Sequence, residues 1–169
     1  MPLSDALLPE FDNEMAITRK CLERTPGDKL AWQPHQKSMS VGRLASHLAE
    51  IPSWGRITVE HESFDVAPPG GAPYQPRVFD SVEAILEVFD KNVSDARAAI
   101  AGVSDADLLK PWSLLQAGNT IFTMPRIGAL RAFVFSHNVH HRGQFTVYLR
   151  LNEVPVPAIY GPSADEMGM

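Results

Sequence analysis

Apolar residues recur at steps of three and four along most of the chain, and four stretches hold that spacing long enough to predict amphipathic helices. The first lies between about Leu7 and Arg24, with Leu8, Phe11, Met15, Thr18 and Leu22 on one stripe. Pro9 has no N–H to donate inside a helix, so the pattern leaves the start of this element open. After Thr25-Pro26-Gly27, Ser40 is the expected N-cap of a second helix carrying Val41, Leu44, His47, Leu48, Ile51 and Trp54. Pro52 predicts a kink one turn after His47, widening the mouth of any pocket there. In the third helix, Asp80 and Glu83 stand at capping-box spacing before a stripe of Val82, Leu86, Phe89, Val93, Ala96 and Ile100, with Gly102 as the stop. The fourth runs from about Arg126 to Leu151, and its inward stripe reads Ile127, Leu130, Val134, His137, His141, Gln144, Tyr148 and Leu151.

Two segments interrupt this pattern. From Val66 to Pro76, four prolines and two glycines exclude a helix interior and predict a crossover loop. From about Gly102 to Pro125 the chain mixes Gly102, Pro111, Gly118 and Pro125 with a short turn capped by Ser104, and its length marks it as a functional loop. With no convincing period-two strand, the expected fold is all-α: a four-helix bundle forming one domain over residues 1–169.

Composition narrows the function. Fifteen Lys and Arg against twenty Asp and Glu leave a net charge of -5, which argues against nucleic-acid binding by phosphate neutralisation. No stretch is apolar and long enough to span a bilayer, so no membrane partner is expected. Cys21 is the only cysteine, and MPLSDALLPEFDNEM has no signal-peptide pattern; together they predict a reducing, cytoplasmic setting. Cys21 itself falls near an inward face and reads as a small buried hydrophobe.

The chemistry is expected where polar residues sit on core stripes, since imidazole and amide groups there need a partner. His137 and His141 are four apart, so both rings can reach one ion, and His47 on another apolar face can supply a third nitrogen. Each histidine alone also reads as a hydrogen-bonded core residue. His140 points about 100° away from His141, and His35 and His61 lie outside the stripes as solvated groups. Asn138 stands where a zincin helix needs its glutamate, which removes metalloprotease chemistry. Arg126, Arg131, Arg142 and Arg150 decorate the fourth helix. They read either as partners of acidic residues on the first and third helices or, for Arg142 beside the histidines, as a hold on an anionic substrate.

The segments GRLASHLAEIPSW and SHNVHHRGQFTVYLRLNEVPVPAIYGPSADE, with LAWQPHQKSMSVGRLASHL leading into the second helix, resemble the DinB-like superfamily over nearly the whole chain. The resemblance implies an up-down-down-up bundle with two long connections. It also implies metal ligands at His47, His137 and His141, with zinc or nickel as the ion and water completing its shell. Some members are thiol S-transferases using low-molecular-weight bacterial thiols, and others resemble thiol-dependent isomerases. The function expected is therefore a metal-dependent thiol S-transferase or related detoxification or stress activity, acting on a small thiol and an electrophile. Gln144 and Tyr148 would orient the substrate and Arg142 would hold a carboxylate. Two alternatives stand beside it: metal-assisted hydrolysis with Glu50 as base, and a non-catalytic stress-related module that binds a metal or ligand. Val154, Val156 and Ile159 in the tail are expected to cover either the chain's own bundle or the partner in a homodimer.

Overall fold

The computed structural model describes residues 1–167. Helix α1 spans Leu3–Leu22 and begins a turn earlier than the apolar pattern suggests. Its first N–H is satisfied from outside the helix, by the Asp105 carboxylate at 2.7 Å. Pro9 is accommodated on an exposed face of the helix beside Asp5, whose carbonyl loses its intrahelical donor there. Helix α2 covers Val41–Glu50, capped by the Ser40 hydroxyl as the sequence predicts. At Pro52 the α-helical hydrogen bonding is interrupted although Ile51 and Pro52 keep helical dihedrals, and Trp54 belongs to a second helix, α3, Ser53–Glu60. Gly55 lets α3 approach the next long helix closely: a Cβ there would lie 3.2 Å from that of Ala96.

That helix, α4 (Val82–Gly102), is capped by Ser81, whose hydroxyl accepts the Ala84 N–H; the Asp80–Glu83 capping box is not used. A short α5, Asp105–Leu108, follows with Ser104 as its cap. The final helical run is interrupted: α6 (Arg126–Leu130) passes through a π-helical segment, Arg131–Ser136, into α7 (His137–Leu151). The wider π turn rotates the core-facing line, so the residues of α7 that are buried are Asn138, His141, Arg142, Phe145 and Leu149. Gln144 and Leu151, expected inward, are exposed.

The expectation of an all-α four-helix bundle is overturned by a three-stranded mixed sheet. Strands β1 (Ser63–Asp65), β2 (Pro111–Gln116) and β3 (Asn119–Pro125) lie in that order, β1 parallel and β3 antiparallel to β2. Ala117 and Gly118 form the hairpin turn with φ of 52° and 77°, the left-handed pair that a tight two-residue hairpin requires. The Asp65 carboxylate accepts their two N–H groups and that of Ala67, tying turn, strand and crossover loop together. The sheet escaped sequence reading because a register shift between Leu114 and Leu115 breaks the period-two alternation of WSLLQ.

The helices hold the main core: α4 packs on α1, α2 and α3, while α7 packs on α1 and α2. Phe11, Leu48, Phe89, Leu130 and Phe145 are among its buried residues. Val154, Val156 and Ile159 of the tail pack against this same core. No helix among the described residues is long and apolar enough to cross a membrane.

Candidate metal centre

Two elements bring the three predicted histidines together. His47 comes from the middle of α2, His137 is the first residue of α7, and His141 stands one turn later. Their Nε2 atoms converge: His47 to His137 is 3.1 Å and His141 to His137 is 2.8 Å. His47 and His141 are buried and His137 is partly so. Burial pushes all three rings toward the neutral form, His47 to about 3 and His137 to about 4, and the neighbouring imidazoles push the same way.

The hydrogen bonding of the cluster is incomplete. Gln144 Oε1 faces His141 Nδ1 at 2.7 Å. Because a carbonyl oxygen only accepts, Nδ1 carries the proton and Nε2 of the neutral ring presents a lone pair to the cluster. His137 Nε2 has neighbours on both sides and at most one proton to give, so it can satisfy only one of them. His47 Nδ1 is buried without a hydrogen-bond partner. A cation accepts lone pairs from all three rings at once, which no distribution of protons among them does. Two nitrogens each about 2.0–2.1 Å from one ion would be about 2.9 Å apart at a right angle and about 3.3 Å apart at a tetrahedral angle. The observed separations of 2.8 and 3.1 Å lie in and just below that range. The cluster can therefore bind a divalent metal ion.

A cavity of about 300 Å³ adjoins His137. Trp54, Phe64, Trp112, Leu114, Phe122 and Phe133 form much of its wall, and Tyr74 of the crossover loop closes one side. The loop is held over α2 by Glu50, which accepts the Tyr74 hydroxyl at 3.3 Å and the Arg77 N–H at 2.9 Å, and by Ser46, which accepts the Phe79 N–H. None of the wall aromatics was singled out by spacing as a site residue. The available signal was the turn Ala117-Gly118-Asn119 between WSLL and TIF, a hairpin signature that would have grouped Trp112 with Phe122.

The other predicted site residues are engaged elsewhere. Arg142 does not face an anion site: it is 1% exposed, and its guanidinium binds Glu14, Thr18 and Tyr160 on the α1 side. The cause is the rotated core line of α7, which turns position 142 inward toward α1. Gln144 holds His141. The Tyr148 hydroxyl donates to the Met39 carbonyl at 3.1 Å, and its ring packs on Trp32. Arg131 pairs with Glu10 and Arg150 with Asp165, while Arg126 donates to the carbonyls of Asp107 and His61. His140 is exposed with its ring 4.8 Å from that of His141, and His35 and His61 are exposed as expected. Cys21 is fully buried and its thiol is pushed up to about 11 by desolvation, which suits a packing role.

A helical core that turns three neutral imidazoles to one point, with an attached sheet walling a cavity beside them, fits a metal-binding protein. The chain belongs to the DinB family, whose model matches residues 1–168. It is 28% identical over 162 residues to the uncharacterized protein YrdA of Bacillus subtilis strain 168, covering 96% of this chain and 90% of that one. Among solved structures it resembles a DinB-like protein of Bacillus cereus ATCC 10987, with a TM-score of 0.69 at 23% identity, covering 92% of this chain and 97% of the other. A DinB-like protein of Bacillus subtilis, YjoA, superposes with a TM-score of 0.67 at 16% identity over 89% of this chain and 95% of that one. At these identities the two structures establish the fold.

Proposed function

We propose that this protein is a metal-dependent thiol S-transferase that joins a low-molecular-weight thiol to an electrophile. The observation that carries the reading is the convergence of three neutral imidazole nitrogens without a free carboxylate to act as base. A zinc or nickel ion held by His47, His137 and His141 would supply Lewis acidity that favours the deprotonated form of a thiol. Gln144 fixes the His141 ring so that Nε2 faces the cluster, and burial keeps the three rings neutral. The sulfur then forms a bond to the electrophilic carbon, the bond from that carbon to its leaving group breaks with its electron pair, and the thiol proton passes to solvent.

This chemistry suits the residues better than hydrolysis does. Water ionises far less readily than a thiol, and Glu50, the base considered for it, is committed to Tyr74 and the Arg77 backbone, so hydrolysis would rest on the metal alone. A thiol, with an ordinary pKa of about 8.5, gives its proton to solvent without a protein base. The test is a transfer assay on protein reconstituted with zinc or with nickel, using small thiols and activated aryl halides. Turnover should require both metal and thiol, and the H141A variant should lose bound metal and turnover together. Unchanged turnover in metal-free H141A overturns the reading, as does ester hydrolysis that persists without thiol.

A further inference from the structure

We infer that the cavity beside His137 binds an uncharged aromatic ligand of one or two fused rings, which, on the thiol-transfer reading above, is the electrophilic acceptor. Three observations carry this. The first is the construction of the wall. Phe64, Leu114 and Phe122 occupy one rung across all three strands, Phe64 paired with Leu114 and Leu114 with Phe122. The adjacent rung, Ser63, Ser113 and Thr123, is polar, and Ser113 and Thr123 hydrogen-bond to each other at 2.7 Å. Alternating residues of a strand face opposite sides, so the sheet presents its apolar face to the cavity and its hydroxyls away from it.

The second is charge. No ionised side chain lines the cavity; its polar groups are the Tyr74 hydroxyl, engaged by Glu50, with Thr58, His137 and the indole N–H groups of Trp54 and Trp112, of which Trp112 Nε1 is buried without a partner. A carboxylate or sulfonate entering it would lose hydration and meet no cationic side chain in the wall; Arg43, a cation whose charge reaches His47 and Tyr74, lies outside the lining, 3.9 Å from the Glu50 carboxylate. The third is shape and size. Phe122 and Phe133 are parallel within 10° at 5.1 Å, and Trp112 is tilted beside both, surfaces to which a flat ring packs by offset or edge contacts. An apolar cavity on the order of 150 Å³ accepts benzene; the one here, about 300 Å³, has room for a fused pair of rings. Trp54 and His137 line the cavity together, the Trp54 ring centroid 5.4 Å from that of His137 and 6.0 Å from that of His47. A ring seated against it places a substituent carbon beside the cluster.

The experiment titrates naphthalene and naphthalenesulfonate into chelator-treated full-length protein, so that no metal ion beside His137 can hold the sulfonate, following quenching of tryptophan emission and the shift in Tm. Naphthalene should bind saturably and the sulfonate at least about tenfold more weakly. L114E puts a charge on the wall and should weaken naphthalene by about tenfold or more. V66W narrows the cavity without adding charge and should discriminate against naphthalene more than against benzene. No naphthalene binding by the wild-type protein, equal binding of the sulfonate, or indifference to both variants overturns the assignment. The same samples, reloaded with zinc, are assayed for thiol conjugation of neutral aryl halides. If naphthalene binds as described but no conjugate forms, the thiol-transfer reading falls and the aromatic site stands. If conjugation proceeds at the wild-type rate in L114E and V66W, the aromatic site falls and thiol transfer stands.

Discussion

Two polar clusters flank α7, and they are built on opposite terms. On the α1 side, Arg142 donates to the Glu14 carboxylate, the Glu14 carbonyl, Thr18 and Tyr160; Tyr160 donates in turn to Glu14, and Asn138 to Thr18. One positive and one negative charge meet, and nearly every donor reaches an acceptor within the protein. On the α2 side, three neutral histidines face one another with too few protons to go round and with His47 Nδ1 unpaired. The first cluster completes itself and so has a structural account. The second is incomplete as a protein site and becomes complete with a cation. Burial alone does not separate a functional polar group from a structural one; whether its hydrogen bonds close within the chain does.

The largest effect expected from this contrast is on the closed cluster. R142A leaves the Glu14 carboxylate buried without its cation, and breaking such a pair costs about 3–5 kcal/mol. Urea unfolding should show that loss, while the fraction that remains folded still takes up one zinc or nickel ion. A loss below about 1 kcal/mol would mean that the pair is not buried in solution as it is here.

The open cluster should respond to pH instead. In chelator-treated protein the folded-state pKa values of His47 and His137 lie near 3 and 4, below the unfolded value of about 6.5. Between those limits the unfolded chain binds more protons than the native one. Stability from these groups is therefore fully present above about pH 6.5 and declines as pH falls toward 4. H137N should flatten that decline in an unfolding series across this range, whereas R142A should leave its slope unchanged.

The unequal legibility of the two sides has a physical cause. His47, His137 and His141 could be found because each sits where helical periodicity demands an apolar side chain, and Ser40 and Ser104 because capping is local. Arg142 reads from the sequence either as a partner of an acidic residue on the first or third helix or as a hold on a substrate; its pairing with Glu14 follows from the π turn at Arg131–Ser136, which no propensity marks and which shifts the core line of α7. The cavity was invisible for a different reason. Its walls come from α3, the sheet and the π segment, and Phe64 meets Leu114 only through the parallel pairing of strands almost fifty residues apart. Such pairing is set by tertiary packing, and the bulge at Leu114 hid even the local alternation.

Gln144 gives a sharper probe, because it lies on the surface and touches the open cluster through one bond. Q144A frees the His141 ring to rotate and exchange tautomers, and loss of an outer partner of this kind weakens metal binding by about ten- to a hundredfold. A competition titration with a chromogenic chelator would measure it. Stability of the metal-free protein should change little, since the side chain removed is exposed.

The smallest expected effect lies at the edge of the closed cluster. Tyr160 is 67% exposed, yet its hydroxyl stands between Arg142 and Glu14, accepting from the first at 2.6 Å and donating to the second at 2.9 Å. Y160F removes both bonds but leaves the ring under the guanidinium, whose carbon lies 5.2 Å from the ring centroid, and leaves the ion pair intact. Water can replace the lost hydroxyl at this exposed position, so the cost should be about 1 kcal/mol, that of an ordinary hydrogen bond. Metal affinity should not change, because Tyr160 bonds only to residues on the α1 side of α7. Combined with Q144A, the two effects should therefore add in a double-mutant cycle on metal-loaded protein. A coupling well above about 0.5 kcal/mol would show that α7 transmits strain between its faces, and that the closed cluster helps to set the geometry of the open one.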